Sequence, residues 1–148
     1  MKRILLWTGL CVMLLSGAVA HAAQTRPADI VDGFRKAILR GNAEEALSMM
    51  ASDVVIYEQG FSEFDRREYA GDHLAADMQF EKSIHRAITW RQVFQDQTYA
   101  FVISEYRLTG DLNGETVDIA TTETMILRRD AQSWKIAHIH LSSHSVDQ

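Results

Sequence analysis

The hydrophobic pattern of this chain changes near His85 from a mainly helical period to a strand period, and that change constrains the fold more than any other feature. Before it, apolar residues recur every three or four positions, as they do on one face of an α-helix. After it, they alternate with polar residues, which is typical of β-strands with one buried face. Helices first and long strands afterwards indicate an α+β domain.

The first helix predicted by this pattern runs from Pro27 to about Arg40. Proline at the first turn costs no hydrogen bond, and Gly41 supplies a C-terminal stop. A capping box of Asn42 and Glu45 then opens a short second helix.

A β-branched run at 53–58 predicts the first strand. A second capping box, Asp65 with Glu68, opens a further helical segment, which Gly71 breaks or kinks. The segment continues to about Ile84, where the period changes.

Four long strands follow the change of period. They are predicted at 86–94, 98–108, 115–128 and 134–143, separated by short turn-rich segments. Strands of this length require twist and curvature. We therefore expect a curved sheet that wraps around the helices.

The alternation assigns each side chain to one face of the sheet. The inward positions are Ala100, Val102, Ser104, Tyr106, Val117, Ile119, Thr121, Glu123, Met125, Leu127, Ala137, Ile139 and Leu141. The outward positions include Tyr99, Phe101, Trp134, His138 and His140. An outer face with these aromatic residues is too apolar for a small monomer in water, so we expect a homodimer that pairs sheet to sheet.

The N-terminus has the pattern of a secretory signal peptide. Lys2 and Arg3 precede an apolar run that ends near Ala20, and an A-x-A site favours cleavage after Ala22, with the bond after Ala20 as the second choice. The run is too short for a membrane span. We predict a signal peptide at 1–22, a domain at 23–148 and a periplasmic or secreted location.

Cleavage after residue 22 would remove the only cysteine, Cys11, so the mature chain would contain no disulfide. The remaining residues form one domain with 13 basic and 20 acidic side chains, a net charge of −7. No basic stripe remains to neutralise phosphates, which argues against a nucleic-acid partner.

The order of elements and the closing stretch "ETMILRRDAQSWKIAHIHLSS" resemble the SnoaL-like branch of the nuclear transport factor 2-like superfamily. The last residues are also similar to the association domain of calcium/calmodulin-dependent kinase II. The resemblance implies a cone-shaped half-barrel with a pocket between sheet and helices and a dimer through the outer sheet face. Some members are isomerases, dehydratases or cyclases, whereas others only bind or assemble.

The strongest candidates for chemistry are charged residues on apolar faces. Glu123 stands alone among aliphatic side chains, in surroundings that suit a carboxylate to general acid or base work, although it could merely shape the cavity. His73 and Asp77 are four residues apart on one helix face, as a base and its orienting carboxylate would be, or as a surface pair would be. Tyr57 could donate a hydrogen bond to a ligand or belong to the core.

The expected ligand-binding residues lie on these faces. They are Tyr57, His73, Met78, Ser104, Tyr106, Glu123 and Met125. His138 and His140 have the spacing of a zinc pair, with His144 or Glu105 as a third ligand, but a dimer contact is the favoured interpretation and no metal or cofactor is assigned.

The sequence therefore predicts an exported domain whose apolar pocket holds a small apolar or amphipathic molecule. The first alternative is a cofactor-free isomerase, dehydratase or cyclase with His73 or Glu123 as general base. The second is a metal-binding protein that uses His138 and His140.

Overall fold

A computed structural model describes residues 25–131 and 133–146. The predicted signal peptide lies outside the described residues. The elements are α1 (Pro27–Arg40), α2 (Ala43–Ser48), β1 (Met50–Glu58), β2 (Phe61–Glu63), α3 (Arg66–Gly71), α4 (Leu74–Ser83), β3 (Ile84–Gln95), β4 (Tyr99–Leu112), β5 (Glu115–Asp130) and β6 (Ser133–Ser145). Among the described residues, no helix has the length and apolar character needed to cross a membrane.

The architecture is the predicted α+β one. Four helices precede or interrupt the first strands, and the six strands form one curved, mainly antiparallel sheet in the order β2-β1-β6-β5-β4-β3. Only β1 and β6 run parallel. The cone-shaped half-barrel with helices on its inner face is therefore confirmed.

Helix α1 forms where its sequence predicts. Pro27 occupies its first turn, and Gly41 ends it in the left-handed conformation with φ of 70°. The buried stripe of this helix consists of Val31, Phe34, Ala37 and Ile38, which pack into the core.

Both predicted N-caps are present, although the glutamates of the two capping boxes accept from Asn42 Nδ2 and from the Phe64 amide instead of the N-cap amides. The Asn42 side chain accepts a hydrogen bond from the Glu45 amide at the start of α2, and the Asp65 side chain accepts one from the Glu68 amide at the start of α3. The chain leaves helical geometry after Gly71 and resumes it in α4. The sequence did not indicate β2, which is only three residues long and pairs with β1.

One close approach joins α4 to the sheet. Gly110 in β4 pairs with Ile84, the first residue of β3. A β-carbon at Gly110 would overlap the carbonyl oxygen of Ser83, so only glycine allows the helix end to lie this close to the strand.

The predicted outer position of Trp134 is wrong. Trp134 is only 2% exposed and belongs to the hydrophobic core. The guanidinium of Arg129 lies 4.0 Å from the centroid of its ring. A cation at this distance over an indole face adds to the stabilisation that burial provides.

A β-bulge in β6 explains the error. Leu127 pairs with Ile136 and Ile126 pairs with His138, so Ala137 is an extra residue on β6. The extra residue inverts the alternation, so Trp134 and Ile136, which precede the bulge, face the core although strict alternation assigns them outside.

The other outer positions are as expected. Tyr99 is 43% and Phe101 40% exposed on the face that carries His138 and His140. The inward residues Ala100, Val102, Ser104 and Tyr106 are all buried.

Candidate functional site

A cavity of about 550 Å³ lies between α1, α4 and the inner face of the sheet. Its apolar wall comes from Phe80 and from strand residues that point inward. Those strand residues are Leu108, Val117, Ile119 and Leu141. Charged side chains, namely Arg35, Glu58, Asp77, Glu81, Arg86 and Asp118, also line it. The pocket is thus amphipathic, whereas the sequence predicted an apolar one.

Asp77 enters the cavity from the first turn of α4. The Tyr69 hydroxyl of α3 donates a hydrogen bond to Asp77 Oδ2 at 2.7 Å. Burial raises the pKa of the Asp77 carboxyl above its ordinary value, and this hydrogen bond offsets only part of the effect. A fixed carboxylate with a raised pKa can exchange a proton with a ligand closer to neutral pH than an exposed aspartate can.

A second carboxylate in the same cavity belongs to Glu58, the last residue of β1. The sequence analysis did not identify it. Burial, and then the charge of Asp77, raise its pKa. Within the described residues, neither Glu58 nor Asp77 forms a salt bridge. The cavity therefore contains two carboxylates without cationic partners of their own.

Tyr57 does not contact the cavity, contrary to the sequence prediction. Because side chains alternate along β1, the inward position of Glu58 places Tyr57 on the outer face. There it is 43% exposed, with its ring centroid 5.5 Å from that of His138 and 6.2 Å from that of His140.

Glu123 is buried as predicted, but it is held by partners. It is 1% exposed, forms a salt bridge with Arg35 of α1, and accepts a hydrogen bond from the Tyr106 hydroxyl at 3.0 Å. It does not line the main cavity. A carboxylate held this way stabilises the packing of α1 on the sheet and is not free to remove a proton from a ligand.

Arg35 is a residue that the sequence analysis missed. It lies four residues after Val31 and three before Ile38, so it is an isolated charge on the buried stripe of α1. Its Nη1 atom is also 3.8 Å from Glu81, which forms a salt bridge with Arg86. An isolated charge within an apolar stripe is the signal that could have identified it.

His73 does not line the main cavity. It is the N-cap residue of α4, where its ring pairs with Glu63 of β2 and lies 5.7 Å from the Phe61 ring. The hydrogen bond to Glu63 raises the His73 pKa. The unpredicted strand β2 supplies this partner, so the expected His73–Asp77 pair is replaced by His73–Glu63.

Of the remaining residues that were predicted to contact a ligand, two lie in or against the hydrophobic core and two accept hydrogen bonds from an arginine. Met125 is fully buried and Met78 packs against the core. The Ser104 hydroxyl and the Tyr106 hydroxyl accept hydrogen bonds from Arg91, each at 2.9 Å. Of the residues predicted to contact a ligand or to be catalytic, only Asp77 lines the main cavity.

The outer-face histidines have no third metal ligand in the part of the chain that the structure describes. The rings of His138 and His140 are 6.3 Å apart, and His138 Nδ1 lies 2.9 Å from the carbonyl oxygen of Val55. A hydrogen bond from this ring nitrogen to the carbonyl oxygen fixes the tautomer and the orientation of His138.

We expect Asp77→Asn to raise the melting temperature by a few degrees at neutral pH and to leave it unchanged in acid. The native pKa of Asp77 is raised, so its charge opposes folding once the pH rises through that pKa. Below the unfolded-state pKa the carboxyl is protonated in both states, and the difference disappears. Thermal unfolding at a series of pH values measures this effect.

Asp53→Asn provides the matched control, because the hydrogen bond from Arg128 lowers the pKa of Asp53. That variant should lose a little stability at neutral pH instead of gaining it. A loss of stability in Asp77→Asn at neutral pH would contradict the assignment of Asp77 as a carboxylate with a raised pKa.

Comparisons with known proteins agree with this geometry. A family model described as a SnoaL-like domain matches residues 28–146. A comparison with curated proteins gives no match.

Solved structures with this fold include proteins from several bacteria. A protein from Shewanella frigidimarina, provisionally named a ketosteroid isomerase, is 31% identical with a TM-score of 0.74, over 77% of this chain and 92% of that one. A provisional calcium/calmodulin-dependent kinase II association domain from Xanthomonas campestris is 21% identical with a TM-score of 0.67, over 79% and 84%. A provisional dehydratase of the NTF2-like family from Streptomyces avermitilis is 20% identical with a TM-score of 0.67, over 78% and 91%.

The family match covers almost all of the described residues, and the TM-scores show that these solved structures share the fold of this chain. The chain belongs to the SnoaL-like domain family.

Proposed function

We propose that this domain binds a small organic molecule in the cavity between α4 and the sheet. The observation that carries the proposal is a cavity of about 550 Å³ with an apolar wall and two unpaired carboxylates, Glu58 and Asp77. Its volume and its combination of an apolar wall with polar groups are typical of small-molecule sites.

The charges of the cavity limit the chemistry of this ligand. Two carboxylates without cationic partners repel an anion and favour a hydrogen-bond donor, such as a hydroxyl or an enol. Phe80 and Leu108 provide an apolar surface for the rest of the molecule. The ligand is therefore amphipathic, with an apolar body and a polar end that reaches Glu58 or Asp77.

Two tryptophan substitutions on α4 test this site. Both substituted residues are exposed alanines of the same helix, but Ala76 lines the cavity and Ala75 does not. We expect the mature protein to bind 2-naphthol, a small aromatic hydroxyl donor, in a titration followed by protein-observed NMR. Ala76→Trp should weaken binding about 10-fold or more because the indole occupies the cavity, and Ala75→Trp should leave it unchanged. Equal effects of the two variants would contradict the site.

A second candidate function is isomerase-type proton transfer with Asp77 as the catalytic base. The raised pKa of Asp77 and its hydrogen bond from Tyr69 favour it. In this reaction the Asp77 carboxylate removes a proton from a carbon beside a carbonyl group and returns it to another carbon. The similarity to the Shewanella frigidimarina protein supports the candidate. Asp77 replaces His73 and Glu123 as the proposed base, because it alone of the three lines the cavity.

Turnover of a β,γ-unsaturated ketone tests this candidate. Asp77→Asn should lower kcat by a factor of about 10² to 10⁴, because amide nitrogen and oxygen cannot take the proton. In the wild type, kcat/KM should rise with pH through the raised pKa of Asp77. Full activity of Asp77→Asn would exclude Asp77 as the base and would leave the binding proposal intact.

We also propose that the chain is exported and forms a homodimer through the outer sheet face. The N-terminal pattern supports export, and Edman sequencing of the mature protein should begin at Ala23.

Exposed aromatic residues on the outer face, among them Tyr57, Tyr99 and Phe101, support the dimer, with the buried Trp134 no longer part of it. Phe101→Glu should convert the dimer to a monomer in sedimentation velocity.

A further inference from the structure

A second cavity, of about 300 Å³, lies between α1 and β3. A wall formed by Arg35, Glu81 and Arg86 separates it from the main cavity. These three residues line both cavities, and no other residue does. The second cavity is also lined by Asp32, Lys36, Leu39, Ile88, Arg91 and Tyr106. We propose that it binds a small monoanion, namely a carboxylate that carries a short apolar group.

The charge of this second cavity is opposite to that of the first. Its four basic residues are Arg35, Lys36, Arg86 and Arg91. Three carboxylates balance them: Asp32 pairs with Arg91, Glu81 pairs with Arg86, and Glu123 pairs with Arg35. Lys36 forms no salt bridge with the residues that the structure describes. One positive charge is therefore in excess, which suits a ligand with a single negative charge.

The wall also contains hydrogen-bond donors without acceptors. Arg35 Nε and Arg86 Nη1 are buried and donate to no described residue. Because these two atoms have almost no accessible surface, a ligand carboxylate accepts instead from Lys36 and from the parts of the cavity arginines that remain accessible. Guanidinium groups bind carboxylates better than other donors do, because their planar array of N–H groups matches two carboxylate oxygens.

The site is organised before any ligand arrives. Arg91 donates to Asp32 at 2.7 Å, and to Ser104 and the Tyr106 hydroxyl at 2.9 Å each. The guanidinium of Arg86 lies 4.9 Å from the centroid of the Tyr106 ring. Because these contacts already hold the arginines, little side-chain entropy remains to be lost on binding.

The rim of the second cavity defines the apolar part of the ligand. Leu39 is 48% and Ile88 50% exposed, and both line the cavity. An alkyl chain of a few carbons covers these two side chains when the carboxylate lies near Lys36 and the wall. The same anion is disfavoured in the main cavity, where Glu58 and Asp77 repel it.

Calorimetric titration of the mature protein with hexanoate tests the proposal. We expect saturable binding in the millimolar range that weakens with added salt, and hexan-1-ol, which lacks the charge, should not compete with hexanoate. Lys36→Ala should weaken hexanoate binding about 5-fold or more. Lys82→Ala removes the same charge from the last turn of α4, outside both cavities, and should leave binding unchanged.

The variant Ala76→Trp separates the two cavities, because Ala76 lines only the main one. Hexanoate binding should persist in this variant even where 2-naphthol binding is lost. The proposal is overturned if hexanoate shows no saturable binding, if Lys36→Ala and Lys82→Ala bind it equally well, or if Ala76→Trp abolishes it. The first two results would leave the proposal for the main cavity intact, whereas the third would indicate that hexanoate binds in the main cavity, against the repulsion expected from Glu58 and Asp77.

Discussion

Replacing Arg35 by alanine should lower the free energy of unfolding by about 3–5 kcal/mol, because it leaves the buried carboxylate of Glu123 without its cation. Glu123 is 1% exposed, and among the described residues the only other side chain that donates to it is Tyr106. Glu81 would lose the same cation, although Arg86 continues to pair with it. Urea denaturation followed by circular dichroism measures the loss.

A second substitution isolates the cause. Glu123→Gln in the Arg35→Ala background removes the uncompensated charge and should recover part of the stability. Arg26→Ala serves as a control, because Arg26, the N-cap residue of the same helix, pairs with Asp29 on the surface. Exposed pairs of this kind contribute at most about 1 kcal/mol. A similar loss in Arg26→Ala and Arg35→Ala would contradict the buried role of Arg35.

Trp134→Ala should lower the free energy of unfolding by about 3–5 kcal/mol. The indole is 2% exposed in the core between the sheet and the helices, so its removal leaves a cavity that the surrounding strands cannot fill. The variant also loses the contact with the Arg129 guanidinium. Urea denaturation at a protein concentration where the wild type is a single species measures the effect.

An exposed aromatic residue provides the comparison for Trp134. Phe64 is 61% exposed, and Phe64→Ala should change the stability by less than about 0.5 kcal/mol. Strict alternation along β6 would instead place Trp134 on the outer face, where its removal would cost little. A small loss in Trp134→Ala would therefore support strict alternation and argue against the bulge at Ala137.

The fold was predictable because its signals are local. The N-caps at Asn42 and Asp65 act within one helical turn, and Gly41 needs only its own backbone conformation to end α1. The strand faces of β4 and β5 follow from a period of two over a long run. These patterns depend on neighbours in the sequence, so they can be seen without knowledge of the tertiary contacts.

The candidate site was predicted only in part, because its contacts join distant parts of the chain. Asp77 and Glu123 were recognised as charges on apolar faces. Their roles were not, because the partner of Glu123 is Arg35, 88 residues away. His73 lacked its partner in the prediction because the short strand β2 gives too weak a local pattern to identify.

The amino-acid order of this chain dictates the helices, the long strands and the division of most side chains between core and surface, since hydrophobic periodicity and capping operate over a few residues. The tertiary structure decides which charges meet. The parallel pairing of β1 with β6 and the bulge at Ala137 place Glu58 inside, Tyr57 outside and Trp134 in the core. A single extra residue in a strand reverses the faces on one side of it, and its position depends on the neighbouring strand.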